Sequence, residues 1–168
     1  MESLSGSDFS RAELPPGIHI PDTADLYDAL ENILWFWPSV FVQLVKEDQW
    51  DRVFDLTRAV RLTGQCEGVI FLRTSRKLGE LLASSLLEDL PVSPEDAFGE
   101  FANMFCGHIM NKIRRSDAVD FRHFLPTDLP YSGKPDRPAD ARMAVAVGGL
   151  LLDVELWIES VPEALGKA

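Results

Sequence analysis

SPEDAFGEFANMFCGHIMNKIRR, residues 93–115, holds a helix start, an amphipathic body and a helix end in one uninterrupted run. Ser93 is suited to cap the first turn, and Pro94 falls at the first helical position, where a missing N–H costs nothing. Glu95 and Asp96 put negative charge at the positive end of the helix dipole, and Lys112, Arg114 and Arg115 put positive charge at the other. Phe98, Phe101, Ala102, Phe105, Ile109 and Ile113 recur at three- and four-residue spacing, which predicts one buried face. Glu100, Asn103, Gly107 and Arg114 fall on a different face. Glu100 and Asn103 project about 60° apart around the axis, so a carboxylate and a carboxamide can meet one partner together.

An E-x-x-N pair by itself is commonplace on solvated helices. Asn103, however, is a mediocre helix former placed mid-helix, where its amide competes with the backbone. Gly107, one turn further on, costs a helix about 1 kcal/mol relative to Ala and leaves the backbone open to close approach. Both choices ask for a reason outside helix stability.

The rest of the chain supplies a scaffold for this helix. Residues 1–21 are rich in Ser, Pro and Gly and are expected to form a flexible arm. From Asp22 and Thr23, a second helix is expected to carry Leu26, Leu30, Ile33, Leu34 and Trp37 on its packed face until Pro38 stops it. Trp35, Phe36 and Trp37 read as core and rim. Strands are expected over 40–45 and 53–62, the second with Phe54, Leu56, Val60 and Leu62 on one face and Asp55, Thr57 and Arg61 on the other. A turn over Thr63–Cys66 leads into an apolar strand, 68–73, of the kind a central sheet position buries. A third helix, capped by Thr74 or Ser75 with Leu78, Leu81, Leu82, Leu86 and Leu87 inward, ends at Leu90-Pro91. After residue 115, Val119, Phe121 and Phe124 suggest a strand stopped at Pro126, which is read as a strand-end or turn determinant. Residues 127–140 hold Pro130, Pro135 and Pro138 and are expected to be a loop. Strands 143–147 and 150–159 then pair across Gly148-Gly149. In the last, Leu152, Val154, Leu156 and Ile158 oppose Asp153, Glu155, Trp157 and Glu159, so that second face is wet or paired with something. The tail, 161–168, is expected to fray. The pattern is α+β: about six strands in a mostly antiparallel sheet, with three helices on one face.

With 168 residues, 46% of them hydrophobic, the chain can bury the core of one domain. A formal net charge of −11 argues against nucleic-acid binding, which needs clustered Lys and Arg, and Arg73, Arg76 and Lys77 make only a short local group. Cys66, in the expected turn, and Cys106 lack C-x-x-C spacing and are expected to be reduced. No signal peptide or membrane span is legible, so a cytoplasmic location is expected. His108 and Cys106 lie on different helix faces, which makes a zinc site from them improbable, and His19 and His123 are isolated and give no triad.

Asp96, Glu100 and Asn103, followed after 22 residues by Pro126, resemble the D/S-x3-E-x2-N-x22-P signature of the CheC/CheX/FliY family of bacterial chemotaxis phosphatases. The preceding GQCEGVIFLRTSRKLGELLASSLL also resembles the family, so the similarity covers roughly residues 22–159. It implies a CheC/CheX-like fold over residues 22–160 and a phosphatase acting on an aspartyl phosphate of a response-regulator receiver domain (CheY-like), in chemotaxis or related two-component signalling. By the same resemblance Asn103 positions a water for in-line attack, Glu100 pairs with the receiver's active-site lysine, and Gly107 and Arg114 belong to the docking face. Asp96 and Pro126 are structural members of the motif. No metal is expected on this chain; Mg2+ is expected on the receiver. Some family members carry a second motif on the equivalent first helix, but here Glu31 is followed three residues later by Leu34, so a single site is expected, as in the CheX branch. That branch forms dimers, and the apolar strands after Arg142 suggest a homodimer through sheet edges. The alternative is a non-catalytic receiver-binding or adaptor module using the same surface, with a structural relative of the flagellar switch proteins ranked below it.

Overall fold

Two glycines turn the last hairpin. The computed structural model describes residues 14–34, 42–44, 54–85, 91–114, 120–123 and 125–160, and in it Gly148 and Gly149 take φ of 57° and 78°, a left-handed pair that joins two antiparallel strands tightly. These strands, β5 (Ala141–Val147) and β6 (Leu150–Ser160), belong to a six-stranded sheet with β1 (Val42–Leu44), β2 (Leu56–Gly64), β3 (Cys66–Thr74) and β4 (Phe121–His123). The order is β1-β5-β6-β3-β2-β4, and every neighbouring pair is antiparallel. The expected turn is shorter than the sequence suggests: Cys66 already opens β3 and is fully buried.

Three helices cover one face: α1 (Thr23–Leu34), α2 (Arg76–Ser85) and α3 (Pro94–Ile113). Asp22 and Asp25 close the start of α1 reciprocally, with Asp25 N–H donating to Asp22 Oδ1 at 2.9 Å and Asp22 N–H to Asp25 Oδ2 at 3.1 Å. Leu26, Leu30, Ile33 and Leu34 are buried, as expected, while Trp35, Phe36, Trp37 and Pro38 lie outside the described residues. On α3 all six residues expected inward are completely buried, each aromatic one contributing roughly 1.5–3 kcal/mol of apolar burial. α3 packs against α1, α2 and β2. Its contact with α2 depends on Gly79, where a Cβ would sit 2.7 Å from Leu56 Cδ1 and 2.8 Å from the Pro94 carbonyl oxygen.

Three differences from the sequence reading stand out. Residues 14–21, expected within a flexible arm, are tied down: Ile18 bridges Arg114, His19 N–H donates to Ile113 O at 2.8 Å, and Leu14, Ile18 and Ile20 pack on the core. The rest of that arm and the tail lie outside the described residues. The second sheet face is covered by the chain's own proline-rich segment, whose Leu129, Tyr131 and Ala139 pack on Ala59, Phe71 and Trp157. Phe71 meets Tyr131 and Trp157 edge-on at 5.6 and 5.9 Å, and Trp157 Nε1 donates to Arg137 O at 3.0 Å. Under this cover Asp153 and Glu155 are buried and joined to Arg73, Arg142 and the Tyr131 hydroxyl, where burial, with the bond to Glu155, pushes the phenol up to about 12. Finally, β5 and β6 are interior strands. Among the described residues the sheet edges are β1 and β4, so the strands after Arg142 do not offer the open edge that the dimer expectation used.

Candidate functional site

The N-terminal turn of α3 is fixed by the cap the sequence suggests: Asp96 N–H donates to Ser93 Oγ at 3.0 Å, and the Ser93 hydroxyl donates to Asp96 Oδ2 at 2.7 Å. Asp96 therefore holds the helix start as well as facing solvent. One and two turns on, Glu100 and Asn103 reach the wall of a cleft of about 320 Å3 lined by Arg58, Glu95, Asp96, Gly99, Glu100, Asn103, Leu125, Pro126 and Asp128. All four positions of the motif thus converge on one depression, although 22 residues separate Asn103 from Pro126.

Arg58 organises the far wall. It is nearly buried, and its guanidinium donates to Asp128, to Thr57 O at 3.1 Å and to Glu95 O at 2.7 Å, so it clips residue 128 to the first turn of α3. Thr127 pairs with Ala59 through two backbone bonds of 2.9 and 3.0 Å, which holds Leu125 and Pro126 over the cleft. Leu125 is 76% exposed, the one large apolar side chain so exposed among the described residues, and it sits on the rim.

The cleft is acidic. Against Arg58 stand Glu95, Asp96, Glu100 and Asp128. Glu95 is ion-paired with Arg76, and its carboxyl is held below the ordinary range, first by a hydrogen bond from its own backbone and then by the Arg76 and Arg58 guanidiniums. Asp128 takes Arg58 and Asp96 takes Ser93. Glu100 is exposed and has no hydrogen-bond or ion-pair partner among the described residues. Asn103 is half-buried, with Oδ1 3.4 Å from His123 Nε2.

Gly107 lies one turn beyond Asn103, and a Cβ built there meets nothing within 4 Å. Arg114 lies elsewhere. It is the C-cap of α3, its backbone pairs with Ile18, and it stands about 20 Å along the helix from Glu100. The structure therefore does not bring Arg114 to the cleft. No group of three or more His, Cys, Asp or Glu side chains is placed to hold a metal among the described residues. Cys66 and Cys106 are free and buried, and burial pushes the Cys66 thiol up to about 11 and that of Cys106 higher still. No helix among the described residues is long and apolar enough to cross a membrane.

Sequence reasoning left out Arg58 and dismissed His123. A signal existed for each. Leu56, Val60 and Leu62 share the helix-facing parity of β2 with Arg58, a guanidinium in an otherwise apolar row; His123 shares the inward parity of Phe121.

Residues 56–129 match the family model described as "Chemotaxis phosphatase CheX", a span that contains every motif position. Over that span the chain is similar to the CheX family. Solved structures share its fold. The chemotaxis protein CheX from Desulfovibrio desulfuricans is 17% identical with a TM-score of 0.55, the match covering 82% of this chain and 98% of that one. A putative chemotaxis protein from Desulfovibrio vulgaris Hildenborough is 19% identical, TM-score 0.57, over 81% and 95%. The Borrelia burgdorferi protein solved as a CheX-CheY-BeF3-Mg2+ complex is 14% identical, TM-score 0.55, over 84% and 100%. No curated protein matches this chain by sequence.

Proposed function

We propose that this chain is a protein phosphatase that hydrolyses the aspartyl phosphate of a response-regulator receiver domain. The observation that carries the reading is Glu100: an exposed carboxylate without a partner among the described residues, beside Asn103, on the rim of a cleft whose other carboxylates are engaged. An acidic cleft repels a phosphoryl group, so it does not bind one alone; the phosphoryl group must arrive with its own cations. A receiver domain brings both an active-site lysine, which Glu100 meets, and Mg2+, which stays with the receiver. The Borrelia burgdorferi relative was solved with just such a partner, CheY carrying BeF3 and Mg2+.

The chemistry asks little of the protein. An acyl phosphate is already activated, and its loose transition state needs an aligned nucleophile more than a strong base. The Asn103 carboxamide oxygen accepts a hydrogen from a water, aiming its lone pair at phosphorus; the new P–O bond forms as the bond to the aspartate oxygen breaks, releasing inorganic phosphate and the free carboxylate. Glu100 fixes the register, and Gly107 lets the receiver approach the helix closely. Arg114 falls at the rim of a footprint of ordinary size. A homodimer formed through a sheet edge would use β1 or β4.

The test is to mix the protein with phosphorylated receivers from the same genome and time phosphate loss. Asn103→Ala should slow the catalysed reaction about 100-fold while the fold is kept. A near wild-type rate in that variant refutes the mechanism. A stable complex with a phosphoryl-analogue receiver, adding nothing to intrinsic dephosphorylation, replaces the enzyme with a binding module.

A further inference from the structure

We propose that His123 is a positioning residue for Asn103: its Nε2, 3.4 Å from Asn103 Oδ1, sets which end of that amide faces the cleft. This rests on the role given to Asn103 above. A carboxamide is two-ended, with an accepting oxygen and a donating NH2. Where the ring nitrogen carries a hydrogen, it donates to the amide oxygen and turns the NH2 toward the cleft. Where that nitrogen is bare, only the NH2 end can bond to it, and the oxygen turns outward. An in-line water needs the oxygen. The contact of Nε2 with Oδ1 is the donating arrangement; the competent one has the amide turned over against a neutral ring with Nε2 bare, and an imidazolium, a donor at both nitrogens, forbids that turn.

The surroundings favour the neutral ring. His123 is half-buried on β4, opposite the apolar Leu62 of β2, with Arg114 of α3 as the charged group that acts on it. Arg122, its neighbour on β4, is exposed on the other side and ion-paired with Asp120. Burial first, and the Arg114 charge second, pull the ring's pKa below the ordinary histidine value. His123 does not line the cleft, so it acts only through Asn103.

The test has two arms. In the first, the side-chain NH2 signals of Asn103 are followed by 1H–15N NMR in the isolated protein from about pH 8 to about pH 5, beside the His123 ring signals. Asn103 should move with the ring's midpoint, below about 6.5, and should stay still in His123→Gln. Asn103 signals that ignore the His123 titration overturn the proposal, whatever the protein's activity. In the second arm, receiver dephosphorylation by His123→Phe should show kcat lowered about tenfold with KM within about twofold. His123→Gln, whose amide can still accept from Asn103, should keep most of kcat and lose the acid-side fall. Wild-type kcat and an unchanged acid limb in His123→Phe also overturn the proposal. If Asn103→Ala is itself fully active, the phosphatase mechanism fails instead, and the NMR arm still judges the contact.

Discussion

Gly107 offers the sharpest separation between a residue kept for folding and one kept for a partner. It lies inside α3, where alanine is favoured over glycine by about 0.8–1.0 kcal/mol in backbone entropy and solvation. That gain is realised only if the new methyl finds room, and a Cβ at Gly107 meets nothing within 4 Å. Gly107→Ala should therefore stabilise the isolated protein by about 1 kcal/mol, raising Tm by about 2–4 °C for a domain of this size. Gly107→Leu should be no less stable than wild type, since leucine is also a good helix former. The cost should appear only against the partner: KM for the phosphorylated receiver should rise at least about tenfold in Gly107→Leu, which corresponds to about 1.4 kcal/mol of lost docking. Thermal melting and steady-state dephosphorylation measure the two effects on the same preparations. A Tm that falls in Gly107→Ala refutes the packing argument; an unchanged KM in Gly107→Leu removes this surface from the docking face.

Gly79→Ala should do the opposite, destabilising by about 1–3 kcal/mol in urea, because its methyl collides with Leu56 and the Pro94 carbonyl where α2 crosses α3. Ser93→Ala should lower stability by about 1 kcal/mol in the same assay through loss of the cap to Asp96. Glu100→Gln, at an exposed side chain, should leave stability within about 0.5 kcal/mol while raising KM for the receiver more than it lowers kcat. The lowered pKa of His123 carries a sign: above about 6.5 the ring is neutral in both folded and unfolded chains, and as pH falls the unfolded chain takes up a proton that the folded one resists. Stability should fall with acidification from that point, and the His123→Gln variant should show a shallower slope in pH-dependent denaturation.

The fold was legible wherever local pattern and burial agree. α3 announces its cap, its buried stripe and its end, and every residue assigned to that stripe is buried, because a helix face is fixed by spacing alone. The Gly148-Gly149 hairpin was equally plain. What escaped depends on contacts between distant segments. Asp153, Glu155 and Trp157 alternate as an outer face should, but alternation cannot reveal that residues 127–140 fold back to cover them. Residues 14–21 look like an arm by composition, and the C-terminal end of α3 gives Ile18 and His19 something to pair with. The cleft divides the same way: Glu100 and Asn103 share a helix face and could be seen together, whereas Arg58 and His123 join them from other strands.

This division explains a motif with so long a gap. Pro126 is not near Asn103 in the chain, yet it lines the same cleft, because the segment around it is fastened on three sides. Arg58 clips Asp128 to the α3 backbone, Thr127 pairs with Ala59, and Leu129 with Tyr131 is seated on Phe71 and Trp157. A proline at position 126 fixes φ and gives up an N–H, which suits a residue that must leave the strand direction and present Leu125 at the rim. The cover over the outer sheet face is thus mechanically continuous with the wall of the cleft. The site's shape is set by packing on the side of the sheet opposite to the helix that carries Glu100 and Asn103. Truncating Tyr131 should loosen that wall: Tyr131→Ala removes its contacts with Phe71 and Glu155, more than 20 residues from either motif side chain in sequence. Its effect should appear as a raised KM with Asn103-dependent chemistry still present, because the helix itself is capped and buried independently of the cover.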